Sequence, residues 1–217
     1  MMSTRYDARG VQAAFEPGSR RRVLRNLLGI SRVRDIKEAE SQALQIAQEQ
    51  AVERYAADHR FTTADICDLH RDWLGPIYEW SGEFRSVDLT KGGFRFAHAA
   101  QIPRLMRELE HGPLSEFTPC VGLTGGQLPR ALAVVHAELI LVHPFREGNG
   151  RISRVLALLM GLQAGLAPLD FSPMLGRGKR SYIAGIHAAM GRDYEILTGV
   201  FESVIDRTLR RAASSGR

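Results

Sequence analysis

The stretch "HPFREGNGRISR", His143 to Arg154, decides how this chain folds. Upstream of it, "RALAVVHAELILVH" is apolar on most faces and has Pro129 near its start, the pattern of a buried helix. Pro144 disfavours helical geometry at His143, so that helix should end there. Gly148 and Gly150 allow backbone conformations closed to other residues. A second apolar helix follows, from near Arg151 to about Gly165. The quoted stretch is therefore a connection between two core helices.

Working outward, apolar residues recur at helical spacing between Ile36 and Asp58, at Ile36, Ala39, Ala43, Ile46 and Ala47. Thr62 with Asp65 resembles a capping box that opens a second helix through Ile66, Leu69 and Trp73, stopping at Gly75-Pro76. The segment "GEFRSVDLTKGGFRFA" sets Phe84, Val87, Leu89, Phe94 and Phe96 around Lys91-Gly92-Gly93, a hairpin signal and the one β element predicted. Helical spacing resumes over Gln101 to Glu110 and should break at Gly112-Pro113. Two further helices are predicted, Lys179 to Met190 and Asp193 to Arg210. The fold class is all-α, a helical bundle with a single β-hairpin. Residues 1–25, rich in Arg and Gly and broken by "EPGS", read as a flexible basic arm. Residues 26–210 read as one domain and 211–217 as a disordered tail.

The bulk properties agree. With 217 residues, 44% hydrophobic and 24% charged, the chain can bury a real core. Two cysteines, Cys67 and Cys120, read as small buried thiols in a reducing compartment. Met1 to Gly10 has no apolar run of the kind a signal peptide needs, and "VLALLMGLQAGLAPL" is too short and broken to span a bilayer. The expectation is a soluble cytoplasmic protein without membrane contact; secretion into a host cell as an effector is the alternative. The net charge of +5 sits largely in "SRRRVLR" and "RTLRR", which read as solvated faces. No aromatic-interleaved basic patch or helix-turn-helix pattern argues for nucleic acid, and an acidic protein partner fits the charge equally well.

The connection itself carries chemistry. A Gly-Asn-Gly turn at a helix start directs main-chain N–H groups at one spot, where the helix dipole also favours an anion. Arg151 and Arg154, three apart, lie on one helix face and suit an anion larger than a carboxylate. Glu147 beside a phosphate is repelled unless a cation intervenes, and Mg²⁺ shared between them resolves the conflict. His143 suits removal of a hydroxyl proton near neutral pH. Together these parts point to phosphoryl or nucleotidyl transfer. Each alone has a plainer reading: a His at a helix end is more often a structural hydrogen-bonder, and a Gly-x-Gly turn is often only a cap. Neither "GRGKRS" nor "GNGRIS" completes a Walker or dinucleotide loop, and His136 with His143 lacks a third metal ligand at a known spacing.

The twelve residues fill every fixed position of His-Pro-Phe-x-Asp/Glu-Gly-Asn-Gly-Arg-x-x-Arg and resemble the signature of the Fic (filamentation induced by cAMP) family. "NLLGI", "YEWSGEFR" and "KGGFRFA" extend the resemblance over roughly Asn26 to Arg207. It implies the Fic fold, with the hairpin as a flap over an active site. It also implies transfer of AMP from ATP to a Ser, Thr or Tyr hydroxyl of a target protein, with pyrophosphate leaving. On this sequence His143 would be the base, Glu147 the Mg²⁺ ligand, and Phe145 a packing anchor. Gly148, Asn149 and Gly150 would cradle the inner phosphates, while Arg151 and Arg154 bind the outer ones. The flap, Thr90, Lys91, Gly92, Gly93 and Phe94, would dock the target by strand addition. Tyr182 falls where the family often has an aromatic beside the base, with a core tyrosine the alternative. Ala189 stands where many members have Asn. Transfer of another nucleotide, a phosphate or a phosphocholine group is the alternative activity. Many members are inhibited by a Ser/Thr-x-x-x-Glu-Gly/Asn helix; residues Thr198 to Ser203 match all but its last position, inside the last predicted helix. The expectation is therefore a toxin-like enzyme inhibited in trans by a small antitoxin.

Overall fold

The computed structural model describes residues 7–8, 12, 14–91 and 93–215. Eight α-helices and three short strands are placed among them: β1 (Asp7–Ala8), α1 (Val33–Arg54), α2 (Thr63–Leu74), β2 (Leu89–Lys91), β3 (Phe94–Arg95), α3 (Ile102–Leu109), α4 (Ser115–Phe117), α5 (Gln127–Val142), α6 (Asn149–Gln163), α7 (Lys179–Ala188) and α8 (Glu195–Ser215). The mostly helical class predicted from sequence is the one observed. Contacts group the chain into two compact units, one of Met1–Arg54, Thr63–Met106 and Val142–Ile152, the other of Tyr55–Thr62, Arg107–Leu141 and Ser153–Arg217.

In the first unit, α1 buries Ile36, Glu40, Ala47 and Ala51 along one stripe. Ile46, expected in that stripe, is 56% exposed. A carboxylate, Glu40, takes a core position instead, because its charge is matched there. Helix α2 buries Ile66, Leu69, His70, Trp73 and Leu74, and the chain turns at Gly75, where a Cβ would lie 2.5 Å from the Arg71 carbonyl oxygen. The predicted hairpin forms with Thr90 opposite Arg95 and Lys91 opposite Phe94. Gly93 supplies the left-handed turn at φ +82; Gly92 lies outside the described residues. A third strand is added to the pair, β1 lying antiparallel on β2. The described part of the expected flexible arm is folded back on itself: Phe15 bridges Leu24, the Glu16 N–H donates to Val23 O at 2.9 Å, and Val23 is buried.

In the second unit, the break expected at Gly112-Pro113 does not occur. Pro113 has no N–H to give, and the chain widens into a π turn over Glu110–Leu114 before α4. Leu114, in that turn, is fully buried, so packing favours continuation. Helix α5 buries Ala131, Leu132, Ala133, Val135, Ala137 and Leu139, confirming a helix covered on most sides. Helix α8 continues through Ser215, into the stretch expected to be a tail, since Arg211, Ala212 and Ala213 are good helix formers. Cys67 and Cys120 are free thiols, and burial raises them to about 11 and about 12. No helix among the described residues is long and apolar enough to cross a membrane.

Candidate functional site

Helix α5 ends at Val142, and His143 takes the left-handed conformation at φ +53. That is the position where helices commonly use glycine, and a Cβ-bearing residue there stores strain of about 1 kcal/mol or more. The strain is held by Arg85, a buried residue that closes the stretch "YEWSGEFR" and to which sequence reading assigned no role. Its Nε donates to His143 O at 2.7 Å, Nη1 to Val87 O at 2.6 Å, and Nη2 to Ala97 O at 2.6 Å. Its own N–H donates to Pro144 O at 2.8 Å. Burial lowers the guanidinium to about 10, so it stays charged at neutral pH. One side chain thus ties the base of the hairpin to the helix end. The hairpin reaches the imidazole as well: Phe96 stacks on His143 with ring centroids 3.6 Å apart.

The loop then closes on itself. The Phe145 N–H donates to Asn149 Oδ1 at 2.8 Å, and Asn149 Nδ2 donates to Phe145 O at 2.7 Å. Both polar atoms of the Asn149 side chain therefore serve the loop's own main chain. Phe145 is fully buried and stacks on His70 at 3.9 Å. The tautomer of His70 follows from its partners. Gly82 N–H donates to Nδ1 at 2.9 Å, so Nδ1 carries no proton and Nε2–H donates to Glu147 O at 3.1 Å. Desolvation lowers this histidine to about 3.

Gly148 sits at φ +85, where a Cβ would come within 2.6 Å of the Trp73 ring. Gly150 differs from the expectation: it lies inside the first turn of α6 and is not among the glycines with positive φ. Its helical geometry is open to any residue, so only its small size distinguishes it. The opening turn of α6 presents main-chain N–H groups and the positive end of the helix dipole. Glu147, 6% exposed, accepts at Oε1 from Gly148 N–H at 3.0 Å and from Arg151 Nη2 at 3.3 Å. Arg151 Nη1 donates to Glu40 Oε2 at 2.7 Å, and the guanidinium lies 4.4 Å from the centre of the Trp73 ring. Periodicity marked Trp73 only as core, and nothing local marked Glu40. Among the described residues no group of three or more His, Cys, Asp or Glu could cage a metal alone. Glu147, a buried carboxylate beside the main-chain N–H groups that open α6, would fit Mg²⁺ that arrives with phosphate oxygens and keeps its waters.

On the flap, the outer edge of β2 is taken by β1, with Asp7 opposite Thr90 and Ala8 opposite Leu89. In the described sheet β3, Phe94–Arg95, lies at the edge away from β1.

Arg154 and Tyr182 belong to the second unit. There His136 is fully buried between Tyr182 and Phe201, and desolvation followed by the Arg154 charge lowers it to about 3. Its Nδ1–H donates to Ser153 O at 3.3 Å, so Nε2 accepts from the Tyr182 hydroxyl at 3.0 Å. The Tyr182 phenol, raised to about 12 by burial, is thereby fixed in orientation. Ala189 is buried and offers no polar group.

Residues 60–160 match the model of the Fic/DOC family. A probable protein adenylyltransferase Fic of Salmonella typhimurium is 32% identical over 144 residues, which cover 64% of this chain and 68% of that relative. Protein adenylyltransferase VbhT of Bartonella schoenbuchensis is 30% identical over 143 residues, 66% of this chain but only 30% of its own length. Among solved structures, the N-terminal Fic domain of a Bartonella quintana effector with bound ADP is 25% identical, with a TM-score of 0.70 over 88% of this chain and 92% of that one. BepC of Bartonella tribocorum with bound AMPPNP shares the fold at 23% identity, with a TM-score of 0.68 over 83% of this chain and 91% of that one. From its signature loop, its helical fold and these similarities, the chain belongs to the Fic/DOC family.

Proposed function

We propose that this protein is an adenylyltransferase that moves AMP from ATP to a Ser, Thr or Tyr hydroxyl of a target protein. The target oxygen bonds to the α-phosphorus, the bond to pyrophosphate breaks, and the hydroxyl proton passes to His143. The observation that carries this reading is one closed loop joining an imidazole, a buried carboxylate and the start of α6, locked by Asn149 against Phe145. Positioning and charge neutralisation are what such transfer requires of a protein. Gly148, Asn149 and Gly150 contribute main-chain N–H groups for the inner phosphates. Glu147 holds Mg²⁺, which when bound neutralises phosphate charge. By the family resemblance, Arg151 and Arg154 would take the outer phosphates and Tyr182 would lie beside the base. The flap receives the target as an added strand, at the β3 edge or in place of β1.

Inhibition in trans by a small antitoxin remains our reading of the regulation. Glu202, the one glutamate in a near match to the inhibitory sequence, is exposed on α8. A glutamate supplied by a partner helix would pair with Arg154 instead. The relatives named adenylyltransferases support AMP as the group transferred; the cytoplasm, of the producing cell or of a host, is our reading of where the protein acts.

The test is incubation of the purified protein with a cell lysate, Mg²⁺ and each nucleoside triphosphate in turn, with intact-mass measurement of the modified protein. The mass of one AMP should appear with ATP and vanish in His143→Ala. A His143→Ala protein that keeps full transfer sinks the assignment.

A further inference from the structure

Glu40 lies outside the signature, on α1, and is 3% exposed. A carboxylate so deeply buried is retained only where partners match its charge. Tyr78 OH donates to Oε1 at 2.8 Å, Arg151 Nη1 to Oε2 at 2.7 Å, and Trp73 Nε1 to the Glu40 main-chain oxygen at 2.8 Å. The Trp73 ring lies beneath the same guanidinium. Arg151 reaches Glu147 only at the longer 3.3 Å.

We propose that Glu40 is a positioning residue that draws Arg151 onto Trp73 and so weakens the hold of Arg151 on Glu147, the carboxylate read above as the ligand of a divalent cation. The proposal rests on the reading above that Glu147 holds Mg²⁺. Two carboxylates, Glu40 and Glu147, share the Arg151 guanidinium, and each carboxylate charge near the site favours the cation. Neutralising Glu40 removes one of those charges. It also leaves Glu147 as the remaining carboxylate contact of Arg151 among the described residues. The guanidinium then competes with the metal for the same oxygens. Partners of a metal-binding carboxylate commonly govern metal affinity by about ten- to a hundredfold.

The experiment is calorimetric titration of a non-hydrolysable ATP analogue at graded Mg²⁺, alongside thermal unfolding. It compares the parent protein with Glu40→Gln, Tyr78→Phe and Glu147→Gln. Glu40→Gln should raise the Mg²⁺ concentration for half-maximal binding about tenfold. Saturating Mg²⁺ should return its nucleotide affinity to within about threefold of the parent. Tyr78→Phe, which removes one neutral hydrogen bond to Glu40, should move the requirement the same way by about threefold. An unchanged Mg²⁺ requirement in Glu40→Gln, or an affinity loss that excess Mg²⁺ does not restore, overturns the proposal. If Glu40→Gln does not fold, Tyr78→Phe decides by the same criterion. A parental Mg²⁺ requirement in Glu147→Gln instead removes the metal assignment and this inference with it. Binding is read without transfer, so failure of the adenylylation reading shows separately.

Discussion

Replacing Gly148 by alanine tests the site's geometry at its tightest point. The added Cβ would stand 2.6 Å from Trp73 Cζ3 and 2.9 Å from Cη2. Carbon atoms pack at about 3.5–4.0 Å, so ring and loop must separate by roughly 1 Å. The ring has little freedom to do so: it is fully buried and its Nε1 is bound to Glu40 O. Overpacking of this kind costs about 1–3 kcal/mol. The left-handed backbone at φ +85 adds about 1 kcal/mol for any residue with a Cβ. The sum, about 2–4 kcal/mol, should lower the melting temperature by roughly 4–16 °C in a chain of this size. Thermal and urea unfolding of Gly148→Ala measure it. The same change in a Trp73→Phe background isolates the cause, because phenylalanine lacks the ring edge that carries both atoms. There the penalty should fall to about the backbone share, near 1 kcal/mol. Equal penalties in the two backgrounds would refute the clash.

Three further outcomes follow from buried groups. His70 and His136 both sit at about 3, well below the usual 6.5. Their neutral forms stabilise the fold fully above pH 6.5, and that contribution is lost as pH falls toward 3. At pH 5 each should cost about 2 kcal/mol relative to pH 8. Imidazole NMR should show both rings neutral at pH 5, and either one titrating above that pH in the folded protein contradicts the assignment. Arg85→Met strips donors from the carbonyls of His143, Val87 and Ala97 and should cost about 3 kcal/mol or more. Limited proteolysis should then cut within residues 86–97, and a hairpin as resistant as the parent's argues against the clamp. Tyr182→Phe should lose about 1 kcal/mol of stability, through the unpaired His136 Nε2, while nucleotide affinity stays within about twofold. Tyr182→Ala should lose about tenfold in affinity if its ring face meets the base.

What the sequence disclosed were features whose cause is local. Pro144 stops α5, Gly93 turns the hairpin, and apolar spacing outlines α2, α5 and α6; each needs only neighbouring residues to be understood. What it concealed depends on partners far along the chain. Glu40 sits in "KEAES", which reads as a solvated helix face, and only Arg151, Tyr78 and Trp73 explain its burial. That one inward carboxylate also explains why Ile46 turns outward, since it sets the phase of the α1 stripe. His70 gave no signal beyond a polar residue on an apolar helix, and Arg85, though inside the quoted "YEWSGEFR", had no role that local sequence could assign. Pro113 misled because a π turn absorbs its missing donor where Leu114 has a core site to fill.

These concealed residues have one thing in common. Glu40, His70, Trp73 and Arg85 all precede the signature and lie in the same compact unit as residues 142–152. Each grips the loop at a different point: Arg85 at the His143 carbonyl, His70 at the Glu147 carbonyl and the Phe145 ring, Trp73 at Gly148, and Glu40 at Arg151. The signature supplies groups that can do chemistry, but a histidine with positive φ has no reason of its own to stay in that conformation. Its geometry is imposed by the earlier segment, largely through main-chain atoms that any sequence would offer. The twelve residues grafted onto another helical pair would therefore keep the functional groups and lose their arrangement. Substitutions at 40, 70, 73 and 85 should accordingly disturb the site as strongly as changes within the signature itself.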